Sequence, residues 1–228
     1  MRELAIASLQ LGYNPTMNAN PAFRPIITTG RLEAFSDGVF AIAITLLIFG
    51  IKIPIVTGAD IAGELERQLL ALWPGYLSFV VSFTNISIFW IGHHHMFRLV
   101  SRPSRALLWL NNLFLMCVSF IPFPASLIGL YGGQRIAVVL YCATIMAAGL
   151  ALYTLWAYAS SGGRLLYAGV PPRVVRVAAW RILGGVLCYG AALGLAFINL
   201  TASRMLLVLI PLFYLLPSSI DPHVEVAR

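Results

Sequence analysis

The side chains able to do chemistry in this sequence are few, and most lie inside or beside long apolar runs. Asp37 sits at the head of one such run, His93, His94 and His95 close a second, Asn111 and Asn112 stand in a third, and Cys117, Cys142 and Cys188 are scattered through the rest. An aspartate with nearby histidines can relay protons, and histidines with cysteines can hold a metal. The spacing argues against the metal. Adjacent helical residues point about 100° apart, so three consecutive histidines cannot chelate one ion together, and no His-Glu-x-x-His occurs. The cysteines are far apart without a Cys-x-x-Cys, and read as small apolar packing residues. No Gly-rich phosphate loop, no Gly-x-Ser-x-Gly and no paired carboxylate set is present, so the sequence predicts no enzyme, no metal site and no cofactor.

Composition fixes the medium in which these groups sit. Of 228 residues 60% are hydrophobic and only 10% charged, with a mean hydropathy of +0.87, whereas a soluble domain carries about 25% charged residues. The chain is an integral membrane protein by this measure, and apolar runs long enough for helical crossings predict an all-α one. Its pI of about 9.7 is then a matter of topology and does not call for a nucleic-acid partner, because membrane edges demand arginine.

About 20 apolar residues are needed to cross the hydrocarbon core. Stretches free of Asp, Glu, Lys, Arg and His predict six spans, at about 31–52, 70–94, 106–129, 135–159, 177–200 and 203–217. The first has only fourteen clean residues, 38–51, and must extend back through Asp37; the last is short and is expected to be broken by Pro211. Counting Lys and Arg by alternate connections puts eleven on the side of the termini and four (Lys52, Arg67, Arg135, Arg204) on the other. The positive-inside rule then predicts cytoplasmic termini in a plasma-membrane protein. Residues 1–30 read as a flexible cytoplasmic arm without a signal peptide, 31–217 as the membrane domain and 218–228 as a cytoplasmic tail. An apolar i, i+4 pattern at Ile61, Leu65 and Leu69 predicts a short external helix before the second span.

The first span carries the chemistry. An Asp costs about 2.5–3.5 kcal/mol at a span centre and less near its edge, so Asp37 needs a partner: Arg31, the span-two histidines, Asn111 or Asn112. At 100° per residue Asp37 shares a face with Ala41, Ile44 and Ile48, while Gly38, Ile42, Thr45, Leu46 and Phe49 form a separate stripe.

Arg31-x-x-x-Phe35-Ser36-Asp37 followed by Ala41-Ile42-Ala43-x-Thr45-Leu46-Leu47 resembles the signature of bacterial relatives of the endolysosomal potassium channel, the transmembrane protein 175 family. The likeness extends to Trp90-x-x-His93-His94-x-x-Phe97, Asn112-Leu113 and Pro122-Phe123-Pro124. It implies a potassium-permeable cation channel in which six-span subunits form a homotetramer around a pore lined by the first helix. The Thr-Val-Gly-Tyr-Gly filter of other potassium channels is not expected, and this sequence has none. By the same likeness Arg31, Phe35, Ser36, Asp37, Trp90, His93, His94 and Asn112 form a structural hydrogen-bonding network. Ile42, with Thr45, Leu46 and Phe49, falls at the pore and its hydrophobic gate. Gly92 stands where relatives often carry Asn, and Phe49 is bulkier than the usual aliphatic. The implied partners are other copies of the chain, the lipid bilayer and monovalent cations. The competing reading from the residues alone is a proton-linked small-solute transporter that uses Asp37 and the span-two histidines.

Overall fold

A computed structural model describes residues 29–57, 60–163 and 165–215. The expected arm up to residue 28 and the tail 218–228 lie outside the described residues.

Among the described residues eight α-helices follow one another: α1 Thr29–Leu46, α2 Ile61–Ala71, α3 Trp73–Phe97, α4 Arg105–Phe120, α5 Pro122–Tyr131, α6 Arg135–Ser160, α7 Pro172–Leu195 and α8 Leu200–Leu215. A 3-10 turn, Leu47–Gly50, continues α1. Among the described residues five helical stretches are long and apolar enough to cross a membrane: Thr29–Gly50, Trp73–Phe97, Arg105–Tyr131, Arg135–Ser160 and Pro172–Leu195. The sixth apolar helix, α8, is shorter. At 1.5 Å per residue its 16 residues reach about 24 Å against a core of about 30 Å.

Local chemistry sets the boundaries. Ser104 caps α4 by accepting from the Leu107 amide at 3.1 Å, Asp60 caps α2 through the Gly63 amide at 3.1 Å, and prolines open α3, α5 and α7, where a missing N–H costs nothing. Gly162, with φ 64°, supplies the left-handed residue that closes α6, a conformation a Cβ would disfavour. α2 forms where a short helix is expected before the second span; within it the Glu64 side chain is held by Gln68 and Arg67, and those bonds, Gln68 first, keep its carboxyl below the usual carboxylate range.

Prolines act less severely than the sequence suggests. Pro122 divides the third span into α4 and α5 about Ile121, yet Pro211 does not break the last helix, which runs through it to Leu215. One lost backbone bond is tolerated there because Pro211 and its neighbours Leu207 and Ile210 are buried against the bundle.

The hub is α6. Over its most apolar window 56% of residues are buried, against 11% for α7 and 22% for α3, so α6 is the inner helix and the others expose long apolar faces. The helices approach closely at glycines: a Cβ on Gly129 of α5 would stand 3.1 Å from the Gly75 backbone of α3. Gly190 of α7 faces Met146 of α6, whereas Gly194 faces open space, so the Gly-x-x-x-Gly of that helix packs inside the chain through its first member only.

The connections pair by ends. Val100 and Leu166 form an antiparallel bridge, with the Ser101 amide donating to Leu165 O at 2.7 Å and the Tyr167 amide to Leu99 O at 3.0 Å. At the opposite end the Arg135 guanidinium lies 5.5 Å from the Phe197 ring centroid. The α3–α4 and α6–α7 connections therefore share one end of the bundle, as alternate crossings require.

Candidate functional site: the first helix and its anchor

α1 buries one stripe, Leu32, Ser36, Phe40 and Ala43, continued by Leu47; these recur at the helical period and pack against α3, α4 and α5. At 100° per residue Gly38, Ile42 and Thr45 lie roughly opposite that stripe, with Leu46 beside them. All are exposed in the single chain, Ile42 at 61% and Phe49 at 74%. Ile44, on the Asp37 side, is partly buried and packs against the core. The helix thus has one face committed to its own subunit and an apolar face committed to nothing within it. On the free face the Thr45 hydroxyl donates to Ile42 O at 2.9 Å, which leaves the hydroxyl oxygen as an acceptor.

Two polar clasps hold the committed face. In the first, Ser36 Oγ donates to Leu32 O at 2.8 Å and accepts from Asn111 Nδ2 at 3.0 Å. Asn111 then presents Oδ1 to His93 Nε2 at 2.8 Å, so the ring must donate from Nε2. Ser36, His93 and Asn111 are all buried. His93 stacks on Phe97 with centroids 4.3 Å apart and lies 5.7 Å from both Phe114 and Phe40. Its ring is thus a structural wedge with one polar bond. In the second clasp Trp90 Nε1 donates to Asp37 Oδ1 at 2.8 Å, and His94 stacks on the Trp90 ring at 5.8 Å.

The expected network is therefore partly gathered within one chain. Ser36, Asp37, Trp90, His93 and His94 are brought together, whereas Arg31 and Phe35 are exposed. Asn112, expected in the network, is exposed, and Asn111 one residue earlier makes both bonds. The two amides point about 100° apart on α4, so only one can face α1.

A further buried cluster escaped the sequence reading. Tyr189 of α7 donates to Asn85 Oδ1 at 2.7 Å, Asn85 Nδ2 donates to Tyr141 of α6 at 3.1 Å, and Tyr141 shares a hydrogen bond with Ser82 at 3.1 Å. Apolar runs bounded by charged residues do not reveal the amides and phenols inside them. The available signal was Asn85 itself, a side chain with two donors and two acceptor sites inside an apolar span. Among the described residues no buried side-chain nitrogen or oxygen lacks a partner, so these clusters fix helix positions without stranding a buried polar atom.

The Asp37 clasp yields a first prediction. Trp90→Phe strands a carboxylate at the head of the span, while Asp37→Asn keeps a carbonyl to accept from the indole. Bonds to charged groups contribute about 1.5–3 kcal/mol, and the exposure of Asp37 in the subunit places this one near the lower end. Trp90→Phe and Asp37→Ala should each lower the melting temperature in detergent, with Asp37→Asn closest to the unsubstituted protein. Equal melting of all four would mean that the carboxylate is simply solvated.

Comparison with known proteins places this geometry. The family model described as endosomal/lysosomal potassium channel TMEM175 matches residues 31–122, the segment that holds α1, both clasps and the start of α5. A potassium channel of Chamaesiphon minutus is 38% identical over 194 residues, 84% of this chain and 95% of that one. A potassium channel of Streptomyces collinus is 40% identical over 190 residues, 82% of this chain and 91% of that one. The crystal structure of a lysosomal potassium-selective channel TMEM175 homologue from Chamaesiphon minutus superposes with a TM-score of 0.71 at 36% identity, covering 82% of this chain and 95% of that one.

Proposed function

Since this chain belongs to the TMEM175 potassium-channel family, we propose that it conducts potassium through a central pore lined by the free faces of α1 from four copies. The relatives are named as ion channels, in keeping with the expectation that the protein is not an enzyme. The observation that carries the pore reading is the division of α1: Leu32, Ser36, Phe40, Ala43 and Leu47 face their own subunit, and Ile42, Thr45, Leu46 and Phe49 face away from it. One such face cannot enclose a conduit, and closed cyclic symmetry is the usual way to build one from identical copies.

In this arrangement α8 completes a sixth crossing and the arginine-rich end lies in the cytoplasm of a plasma-membrane protein, together with both termini. Rings of Ile42 and Leu46 offer a cation no coordinating oxygen, so a narrow ring closes by expelling water. A small outward shift of α1 readmits it. Thr45, whose proton is turned to the Ile42 carbonyl, offers its oxygen to a partly dehydrated cation one turn along. Selectivity built this way is modest beside a carbonyl filter.

The test is a planar-bilayer recording of the purified protein under opposed potassium and sodium gradients, with the mass of the crosslinked assembly measured in the same membranes. Currents reversing toward the potassium equilibrium potential and a crosslinked tetramer are expected. Electrical silence, or saturable flux coupled to protons, would overturn the channel reading, and a crosslinked monomer or dimer would overturn the four-fold pore.

A further inference from the structure

A groove of about 560 Å³ opens at the arginine-rich end of the bundle, between the end of α6, the connection that follows it and the first two turns of α7. Its lining is divided by chemistry. Leu166, Val170, Val175 and Ala179 are apolar, while Arg176 and Ser160 are polar. The wall is braced, because the buried Trp156 donates Nε1 to Val175 O at 3.0 Å and Ser160 Oγ returns to Trp156 O at 2.8 Å.

The depth of the groove follows from the sequence. Residues 182–203 carry no Asp, Glu, Lys, Arg or His, so Arg181 marks the edge of the hydrocarbon and the turns of α7 before it lie among lipid headgroups. Trp180 stands one turn below Arg176 and is 64% exposed, at the level where indoles collect at the membrane boundary. The same spacing recurs on α4, where Arg105 and Trp109 are both exposed.

Charge is equally one-sided. Arg98, Arg102, Arg105, Arg173, Arg176 and Arg181 are exposed at this end. Among the described residues the ion pair present is Arg67 with Glu64, in α2 at the other end. The guanidiniums at the groove are thus uncommitted to carboxylates of the described chain.

We infer that this groove is a binding site for an anionic phospholipid, with Arg176 on the phosphate, the apolar floor under the glycerol and first methylenes, and Trp180 beside the acyl chains. A free inorganic phosphate would use the arginine but gain nothing from Leu166, Val170, Val175 and Ala179. A lipid uses both, and it is already concentrated at that depth. The inference concerns the bundle wall and does not depend on ion conduction.

The test titrates brominated phosphatidylglycerol or brominated phosphatidylcholine into phosphatidylcholine vesicles containing the full chain, and follows quenching of the indoles. The Trp180 component is the difference between unsubstituted protein and Trp180→Phe. Juxtamembrane arginine near an anionic surface is worth about five-fold in affinity, so the anionic lipid should quench this component at roughly a fifth of the mole fraction the zwitterionic lipid needs. Arg176→Gln should bring the ratio close to one, and Ala179→Phe, which fills the floor and keeps the charge, should lower it as well. Arg135→Gln at the opposite end should leave it unchanged. Equal quenching by the two lipids, a preference that survives Arg176→Gln, or full displacement by inorganic phosphate would overturn the lipid site.

Discussion

An Ile42→Asn channel is expected to carry a larger resting current and to discriminate less between potassium and sodium than the unsubstituted protein. Ile42 is 61% exposed on the face of α1 opposite the stripe that packs on α3, α4 and α5. Replacing an isoleucine by a hydrogen-bonding amide there costs the subunit little packing. In the proposed four-fold pore it changes the medium inside a narrow ring. Apolar surface of this size is worth about 1.5–3 kcal/mol per side chain in its preference against water, and every 1.4 kcal/mol removed from a barrier is about tenfold in rate. An increase in resting current of roughly tenfold or more is the scale to expect. Ile44→Asn provides the contrast: Ile44 is partly buried against the core, so its amide should reduce the yield of folded protein while any surviving channels keep normal selectivity. Single-channel recordings of both variants decide the matter. Unchanged current and selectivity in a well-assembled Ile42→Asn protein would remove this residue from the pore.

Asn111→Leu is expected to cost more stability than any other single change at the anchor. The amide satisfies two buried partners at once, Ser36 of α1 and His93 of α3; when it is lost, the His93 ring is left with its Nε2–H among Phe40, Phe97 and Phe114, while Ser36 keeps its bond to Leu32 O. Stranding a buried polar group costs about 1–3 kcal/mol. Within membranes the figure falls toward the lower end, since the unfolded helices also find partners there. One stranded imidazole N–H and one of the two Ser36 bonds lost still amount to about 1–2 kcal/mol, an appreciable part of a typical stability of about 5–15 kcal/mol. Thermal melts followed by size-exclusion chromatography should show a clear drop for Asn111→Leu. Asn112→Leu, on the exposed side of α4, should leave the melting of the subunit unchanged. Equal losses at the two positions would show that helix propensity or insertion, and not the clasp, sets the effect.

Much of the architecture could be read without coordinates because a bilayer imposes a simple rule. Backbone polar groups must be satisfied inside each crossing, so an apolar run of sufficient length between charges becomes a helix. The first five crossings and the opposed ends of the bundle follow from run length and arginine position, and the short helix before the second follows from the apolar period at Ile61, Leu65 and Leu69. Boundaries shifted where caps and prolines intervened. α7 starts at Pro172, five residues before the expected span, because an Arg-bearing helix can extend beyond the hydrocarbon. α8 continues through Pro211 because its neighbours bury the interrupted turn.

Sequence by itself also set the two-sidedness of α1, since the angle between Asp37 and Ile42 is fixed by helical pitch. Tertiary structure alone decided which of two adjacent amides on α4 meets Ser36, which histidine turns inward and which stacks on Trp90, and that Asn85, Tyr141 and Tyr189 close a second polar cluster from three helices. Helical periodicity orients side chains only relative to their own axis. The rotation of one helix against another is settled by packing, and hydrogen bonds between spans as far apart in sequence as Asn85 and Tyr189 exist only after those rotations are fixed.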